Sequence, residues 1–380
     1  MPHANVVIVG AGASGLSAAG ALQRRGIEAV ILEQDQRLGD TWARRYDRLR
    51  LHTVRGFSGL AHYPIPNRYS GYLSRDEFVA YLAEYARHFR LRIETACPVH
   101  KIRLQSTTPA AWAAATAAGD WHCRVMVVAT GQYRIPMLPG WPGQESYRGE
   151  LVHSARYTTG SAYAGKRVLV VGMGNSGAEI ATDLVERGAS YVAVSVRTAP
   201  PIVPRDPFGI SVQRVSILLS LLPPAIADRL GRLASRLALG DLTRHGLPRA
   251  AWMPYSARRI PVIDVGFVST LKRGLVHIRP ALASLTMDGV VFQDGRTESF
   301  DAIIAATGFG SGLDALLETS GMPNAAHEPI YFSGQPPTHP GLYFMGFHRS
   351  LRGHLFEANL ASRRLARNVD RYLKQETECR

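Results

Sequence analysis

Short apolar runs recur along the chain at residues 6–9, 29–32, 125–129, 168–171, 191–196 and 302–306, interrupted only by Ser195. Runs of four to six residues without polar alternation, bounded by glycine or polar turns, predict strands buried on both faces, as in a parallel sheet. Between the first two, and again between the fourth and fifth, lie stretches readable as helix. Strand-helix-strand order repeated in this way predicts an α/β fold of two doubly wound, Rossmann-like domains. Near the C-terminus, residues 341–347 read as a further strand, and Leu355 onward as a helix with Ala358, Ala361 and Leu365 on one side.

The two turns that leave the strands at 6–9 and 168–171 carry the chemistry. They read Gly10-Ala11-Gly12-Ala13-Ser14-Gly15 and Gly172-Met173-Gly174-Asn175-Ser176-Gly177. In each, the first glycine permits a tight turn, the second lets backbone approach a pyrophosphate, and the third lets helix pack on strand. The phosphates then meet the positive end of a helix. After the first loop, Glu33 closes the run at 29–32, where an acid binds the two hydroxyls of an adenosine ribose, so FAD or NAD fits. After the second, Ser195 stands at the place of the acid and Arg197 follows it, an arrangement suited to the 2'-phosphate of NADPH. Two dinucleotide sites on one chain predict electron transfer between two cofactors.

The runs at 125–129 and 302–306 end in Ala129-Thr130-Gly131 and Ala306-Thr307-Gly308, each closing the portion that one loop opens. The expected organisation is an FAD domain at 1–155, an NADPH domain at 156–306 and a return to the FAD domain at 307–380, with the proline- and glycine-rich stretch 135–149 as first linker.

A length of 380 residues suits two or three domains, and 46% hydrophobic residues suit a globular enzyme. The net charge of +14 is high, but its arginines lie among apolar positions and no nucleic-acid motif accompanies them. Cys97, Cys123 and Cys379 form no Cys-x-x-Cys pair, which excludes a dithiol shuttle of the disulfide-reductase kind. Few cysteines and no leader-like opening segment make the cytoplasm the expected location.

The segment from Tyr147 through Gly149, His153 and Ser154 to Tyr157 resembles the signature of flavin-containing monooxygenases, aromatic-x-Gly-x3-His-Ser-x2-Tyr. Gly39-Asp40-Thr41-Trp42 resembles the family's Gly-Gly-Thr-Trp, with Asp40 a departure, and Ala306-Thr307-Gly308-Phe309 resembles its Ala-Thr-Gly-Tyr. The segment from Tyr46-Asp47-Arg48 to His52, Leu239-Gly240-Asp241 and the run from Pro261 to Gly266 are similar to the compact branch that includes YUCCA-type indole-3-pyruvate monooxygenases.

That resemblance implies FAD and NADPH as cofactors, O2 as co-substrate and a small organic substrate: an amine, a thioether or a 2-oxo acid such as indole-3-pyruvate. NADPH would reduce FAD, and O2 would react through a C4a-peroxyflavin. The alternative is an NADPH oxidase or quinone reductase of the same fold. FAD contacts are expected at Gly10, Gly12, Ala13, Ser14, Gly15, Glu33 and Gln34, at Gly39, Thr41, Trp42, Arg50 and His52, and at Val99, Ala129, Thr130, Gly131 and Gly346. NADPH contacts are expected at Gly172, Gly174, Asn175, Ser176, Gly177, Arg197, Thr198, Thr307 and Gly308. No covalent catalyst and no metal are called for. His153 is expected to organise the nicotinamide side and gate closure rather than to move a proton. Arg50 and Arg244 are cationic candidates for anchoring a 2-oxo acid. The asparagine that liver-type enzymes carry after Trp42 has no counterpart before Pro66, so its role is not carried over.

Substrate identity is expected to reside in an insertion at 207–249. There Ile226, Leu230, Leu233 and Leu237 repeat at helical spacing, with Arg229, Arg232 and Arg236 expected on the other side. The expected role of that apolar stripe is to pack against the NADPH domain and line a pocket; a membrane-resting helix is the less favoured reading.

Overall fold

The computed structural model describes residues 2–107, 110–318 and 339–378. Cys379 lies outside them. The chain divides into two compact units, one comprising Met1–Ala43, Thr53–Ile135 and Phe309–Arg380, the other Arg44–His52 and Pro136–Gly308.

The first unit opens with β1 (His3–Val9), α1 (Ala13–Gln23), β2 (Ala29–Leu32), α2 (Arg75–His88) and β3 (Arg92–Glu94), then runs through β4 (Val99–Thr107), β5 (Ala110–Thr116) and β6 (Gly119–Val128). Strands β3, β2, β1 and β6 pair in parallel, with Val6 opposite Ala29 and Val125. Strands β5 and β4 extend that sheet antiparallel from β6. Val7, Val9, Val30, Leu32, Met126 and Val128 point to one face and pack with Trp112 and Ala114 from β5. The other face receives α1, whose small residues let neighbours approach: a Cβ on Gly20 would fall 2.1 Å from the Tyr85 hydroxyl of α2. Serine caps α2 as the sequence Ser74-Arg-Asp-Glu77 allows, Ser74 Oγ accepting from Glu77 N–H while the Glu77 carboxylate accepts from Ser74 N–H.

The second unit contains β7 (Glu150–His153), β8 (Arg167–Val171), α3 (Asn175–Glu186), β9 (Tyr191–Ser195) and β10 (Ile202–Pro204). It continues through the insertion helices α4 (Val212–Leu219) and α5 (Pro224–Leu239), then α6 (Pro254–Ala257), β11 (Val262–Asp264), α7 (Phe267–Lys272) and β12 (Val276–Arg279). The hairpin strands β13 (Leu282–Leu285), β14 (Gly289–Phe292) and β15 (Thr297–Ser299) precede β16 (Ala302–Ala305). Its sheet is fully parallel in the order β12, β9, β8, β16, β7. Val168 and Val170 face α3, and Leu169 and Val171 face the antiparallel layer of β13 and β14, so both faces are covered and the runs read as continuous apolar segments. After the crossing back, β17 (Leu342–Phe344) adds to β6 in parallel and α8 (His354–Glu378) packs along α1.

The units change at 135/136 and 308/309, not at 155/156 and 306/307. The difference has a concrete cause. Leu151 and Val152 are too short an apolar run to announce a strand, yet Glu150–His153 is the edge of the second sheet through pairing with Ala302–Ala305. Residues 44–52, expected with the first domain, likewise belong to the second unit.

Candidate functional site

Both glycine loops fold by the same steric scheme. Gly10 has φ +104°, and a Cβ there would fall 2.8 Å from the Ala129 carbonyl oxygen; a Cβ on Gly15 would fall 1.9 Å from the Gly10 carbonyl oxygen. Gly172 has φ +103° with Ala306 O at 2.6 Å, and Gly177 meets Gly172 O at 2.1 Å. By contrast Gly12 and Gly174, the N-cap residues of α1 and α3, have nothing within 4 Å. First and third glycines are therefore demanded by the protein's own packing, and the middle ones leave room beside two helix N-termini without side-chain caps. That is the cradle a pyrophosphate needs.

In the first unit Glu33 follows β2 directly with its carboxylate buried against the loop, accepting from Ala11 N–H at 2.6 Å and Asp35 N–H at 2.9 Å. Each oxygen keeps lone-pair capacity for a ribose hydroxyl. Thr130 Oγ1 is buried with no partner, a polar atom in want of one beside the turn Ala129-Thr130-Gly131. Gly346, at φ +83°, brings backbone so close to α1 that a Cβ would fall 2.4 Å from Ser14 Oγ, which itself lies 3.4 Å from His354 Nε2. Burial lowers the His354 pKa from its ordinary value. Thr41 donates to Asp35 at 2.9 Å, Gly39 has φ +86°, and Trp42 stands edge-on to Phe78 at 4.7 Å. Gln34 is exposed after β2, and Val99 is buried at the head of β4. These expected residues, with Ala13 at the head of α1, fall in one unit around one sheet edge. Arg50 and His52 do not: both belong to the second unit.

In the second unit Ser195 is buried, its hydroxyl donating to Pro280 O at 2.8 Å and accepting from Leu282 N–H at 3.1 Å. It is thereby committed to chain structure, while Arg197 and Thr198 beyond it are exposed. Asn175 is also committed, its amide joined to Pro261 O at 3.2 Å and Ile263 N–H at 2.8 Å, which pins β11 to the start of α3. Thr307 Oγ1 donates to Met137 O. His153 Nδ1 accepts from Ala155 N–H at 3.0 Å, so the proton sits on Nε2, which donates to Gly308 O at 3.0 Å. Burial lowers the His153 pKa, the bond to Gly308 opposing it. Both ring nitrogens are thereby engaged by backbone.

Sequence reasoning missed the two buried acids of α3. Glu179 takes His52 Nε2 at 2.7 Å and the Tyr46 phenol, whose pKa burial raises well above its ordinary value. Asp183 accepts from the Tyr157 hydroxyl at 2.6 Å and from Gly160 N–H at 2.7 Å. The available signal was an acid at i and i+4 in a helix otherwise built of Ala178, Ile180, Ala181 and Leu184 on its inner side.

The flavin-binding monooxygenase-like family model matches residues 3–372. The chain belongs to that family. It is a flavin-dependent monooxygenase, an oxidoreductase, and its first cradle fits FAD: open space at Gly12, an acid at Glu33 and an orphaned hydroxyl at Thr130. Among relatives of this monooxygenase, indole-3-pyruvate monooxygenase YUCCA1 of Oryza sativa subsp. japonica is 37% identical over 350 residues, 90% of this chain and 86% of the relative. Indole-3-pyruvate monooxygenase YUCCA6 of Arabidopsis thaliana is 35% identical in an alignment 389 positions long that covers 98% of this chain and 91% of the relative. A mutant flavin monooxygenase from Stenotrophomonas maltophilia superposes with TM-score 0.76 at 25% identity, covering 98% of this chain and all of that one. OTEMO in complex with FAD and NADP, at 18% identity and TM-score 0.75, covers 98% of this chain and 86% of its own, and shares the fold.

Proposed function

We propose that this monooxygenase uses NADPH and O2 to insert one oxygen atom into a small 2-oxo acid of the indole-3-pyruvate kind. The observation that carries the reading is a pair of complete dinucleotide cradles in a chain 37% identical, over 90% of its length, to a rice indole-3-pyruvate monooxygenase. Bound FAD supplies the redox and oxygen chemistry. The protein's part is placement. The N–H groups at the head of α1 hold the flavin nucleotide's pyrophosphate, and Glu33 accepts its ribose hydroxyls. Thr130 Oγ1 gains the partner that it lacks. In the second unit the head of α3 at Gly174 takes the pyrophosphate of NADPH, and Arg197, exposed one residue after the end of β9's last buried neighbour Val196, takes the 2'-phosphate. His153 holds the Gly308 carbonyl in place from a neutral ring. Arg50 and Arg244, both exposed, are the candidate anchors for the substrate carboxylate.

For a 2-oxo acid the balance is one O2 and one NADPH with a proton per turnover. The bond between carboxylate and keto carbon breaks, CO2 leaves, one oxygen atom enters the new carboxylate, and the other leaves as water. NADPH consumed, peroxide released and CO2 formed are to be measured with a panel of amines, thioethers and 2-oxo acids. CO2 approaching one per NADPH with indole-3-pyruvate is the expected result. Product from amines or thioethers alone would discard the 2-oxo acid, and peroxide equal to NADPH with every compound would make the chain an NADPH oxidase.

Arg197→Ala checks the reductant separately. Loss of a guanidinium facing phosphate should raise the KM for NADPH about tenfold or more and leave that for NADH within about threefold. Equal effects on the two would place the 2'-phosphate elsewhere.

A further inference from the structure

The insertion does not pack in the way its pattern predicts. Helix α5 carries three stripes: Ala227, Gly231 and Ala234; Ile226, Leu230, Leu233 and Leu237; and Arg229, Arg232 and Arg236. The stripe turned to the protein is the first, with Ala227 fully buried. The leucine stripe is the outward one: Ile226 and Leu230 are each 46% exposed, Leu233 57% and Leu237 69%.

A buried carboxylate sets this rotation. Asp228, 4% exposed, accepts from Tyr255 N–H at 2.8 Å and Ser256 N–H at 2.9 Å, holding the first turn of α6. Turning the leucines inward would carry Asp228 out of that clamp and leave two backbone donors without an acceptor. The insertion exposes further apolar side chains at Leu218 in α4, at Leu221 and Leu222 after it, and at Phe208, 73% exposed in the turn packed against α5. Exposed apolar side chains gathered in one insertion in this way mark an interaction surface.

We propose that this face is a docking surface for an anionic lipid bilayer, with α5 lying in the plane of the interface. Its charge decides the occupant. The insertion carries Arg214, Arg229, Arg232, Arg236, Arg244 and Arg249 against only Asp228, which is buried, and Asp241, within a chain of net charge +14. A second copy would bring the same arginines to the contact with no acid on the exposed stripe to answer them. Anionic headgroups answer them, and acyl chains receive the leucines. Among the described residues no helix is long and apolar enough to cross a membrane, so the attachment is peripheral.

The test uses the whole flavin-loaded protein in sedimentation with vesicles of phosphatidylcholine alone and of phosphatidylcholine with phosphatidylglycerol. Binding to the anionic vesicles at low salt, weaker in high salt and on neutral vesicles, is expected. L233E/L237E should lower partitioning about tenfold or more, and R229Q/R232Q/R236Q should remove the preference for anionic lipid. Because these side chains are exposed, flavin content should not change in either variant. Absence of binding at low salt, or binding indifferent to the leucine pair, would overturn the proposal. So would a concentration-dependent dimer that L233E/L237E dissociates, since the face would then be covered by a second copy.

Discussion

Gly15→Ala should yield a protein that neither holds flavin nor keeps its first unit stable, whereas Gly12→Ala should keep the fold and lose the flavin. The two glycines are three residues apart in one loop, yet their surroundings differ completely. A Cβ on Gly15 lands 1.9 Å from the carbonyl oxygen of Gly10, a backbone atom held by β1, so α1 must move as a body. Because nearly all of α1 from Ala13 to Leu22 is buried, that movement disturbs the packing of a whole helix, and the expected cost is about 3 kcal/mol or more. A Cβ on Gly12 meets nothing within 4 Å. Its φ of −68° suits any residue, and exchanging a glycine N-cap for alanine costs at most about 1 kcal/mol. The space it fills is the space for the pyrophosphate. Thermal unfolding and the ratio of flavin absorbance to protein report the two effects independently of turnover. If Gly12→Ala bound flavin at the wild-type ratio, the cradle would be in the wrong place. Gly174 and Gly177 repeat the contrast in the second unit, with nucleotide binding in place of flavin content.

Asp183→Ala should destabilise the second unit by about 3–5 kcal/mol, the range for breaking a buried charged hydrogen-bonding group apart from its partners. Its carboxylate is buried and accepts from both the Tyr157 hydroxyl, itself 1% exposed, and the buried Gly160 N–H. Alanine leaves both donors buried without an acceptor. Asp183→Asn keeps one acceptor oxygen and should cost less, and Tyr157→Phe, which removes one donor cleanly, should cost about 1–1.5 kcal/mol. In a double-mutant cycle, Asp183→Ala should cost less in the Tyr157→Phe background than alone, because one orphan has already been removed. Additive losses would show that the hydroxyl contributes nothing through Asp183. The cycle also assigns a job to the tyrosine of the signature segment: it ties residues 157–160 to α3, the helix whose N-terminus forms the second cradle.

What the chain encodes locally was legible in it. Short apolar runs, glycines three and five places apart and an acid after the second strand need only a few neighbouring residues to act, so the two cradles, Glu33 and the α/β class follow from pattern alone. The outcome at other positions depended on residues far along the chain. Ser195 sits where a ribose acid would, but Pro280 and Leu282 engage its hydroxyl; Asn175 sits in a cradle, but its amide is joined to Pro261 and Ile263. His52 follows the first loop in sequence and finds its partner in Glu179 of the second unit. Helix α5 shows the same division. Its periodicity was plain, while the face turned inward was decided by whether Asp228 could reach the backbone of Tyr255 and Ser256. Hydrophobic spacing specifies that a helix has an apolar side; the direction of that side is set by the most costly group to leave unsatisfied, and for α5 that group is a buried carboxylate with its two backbone donors.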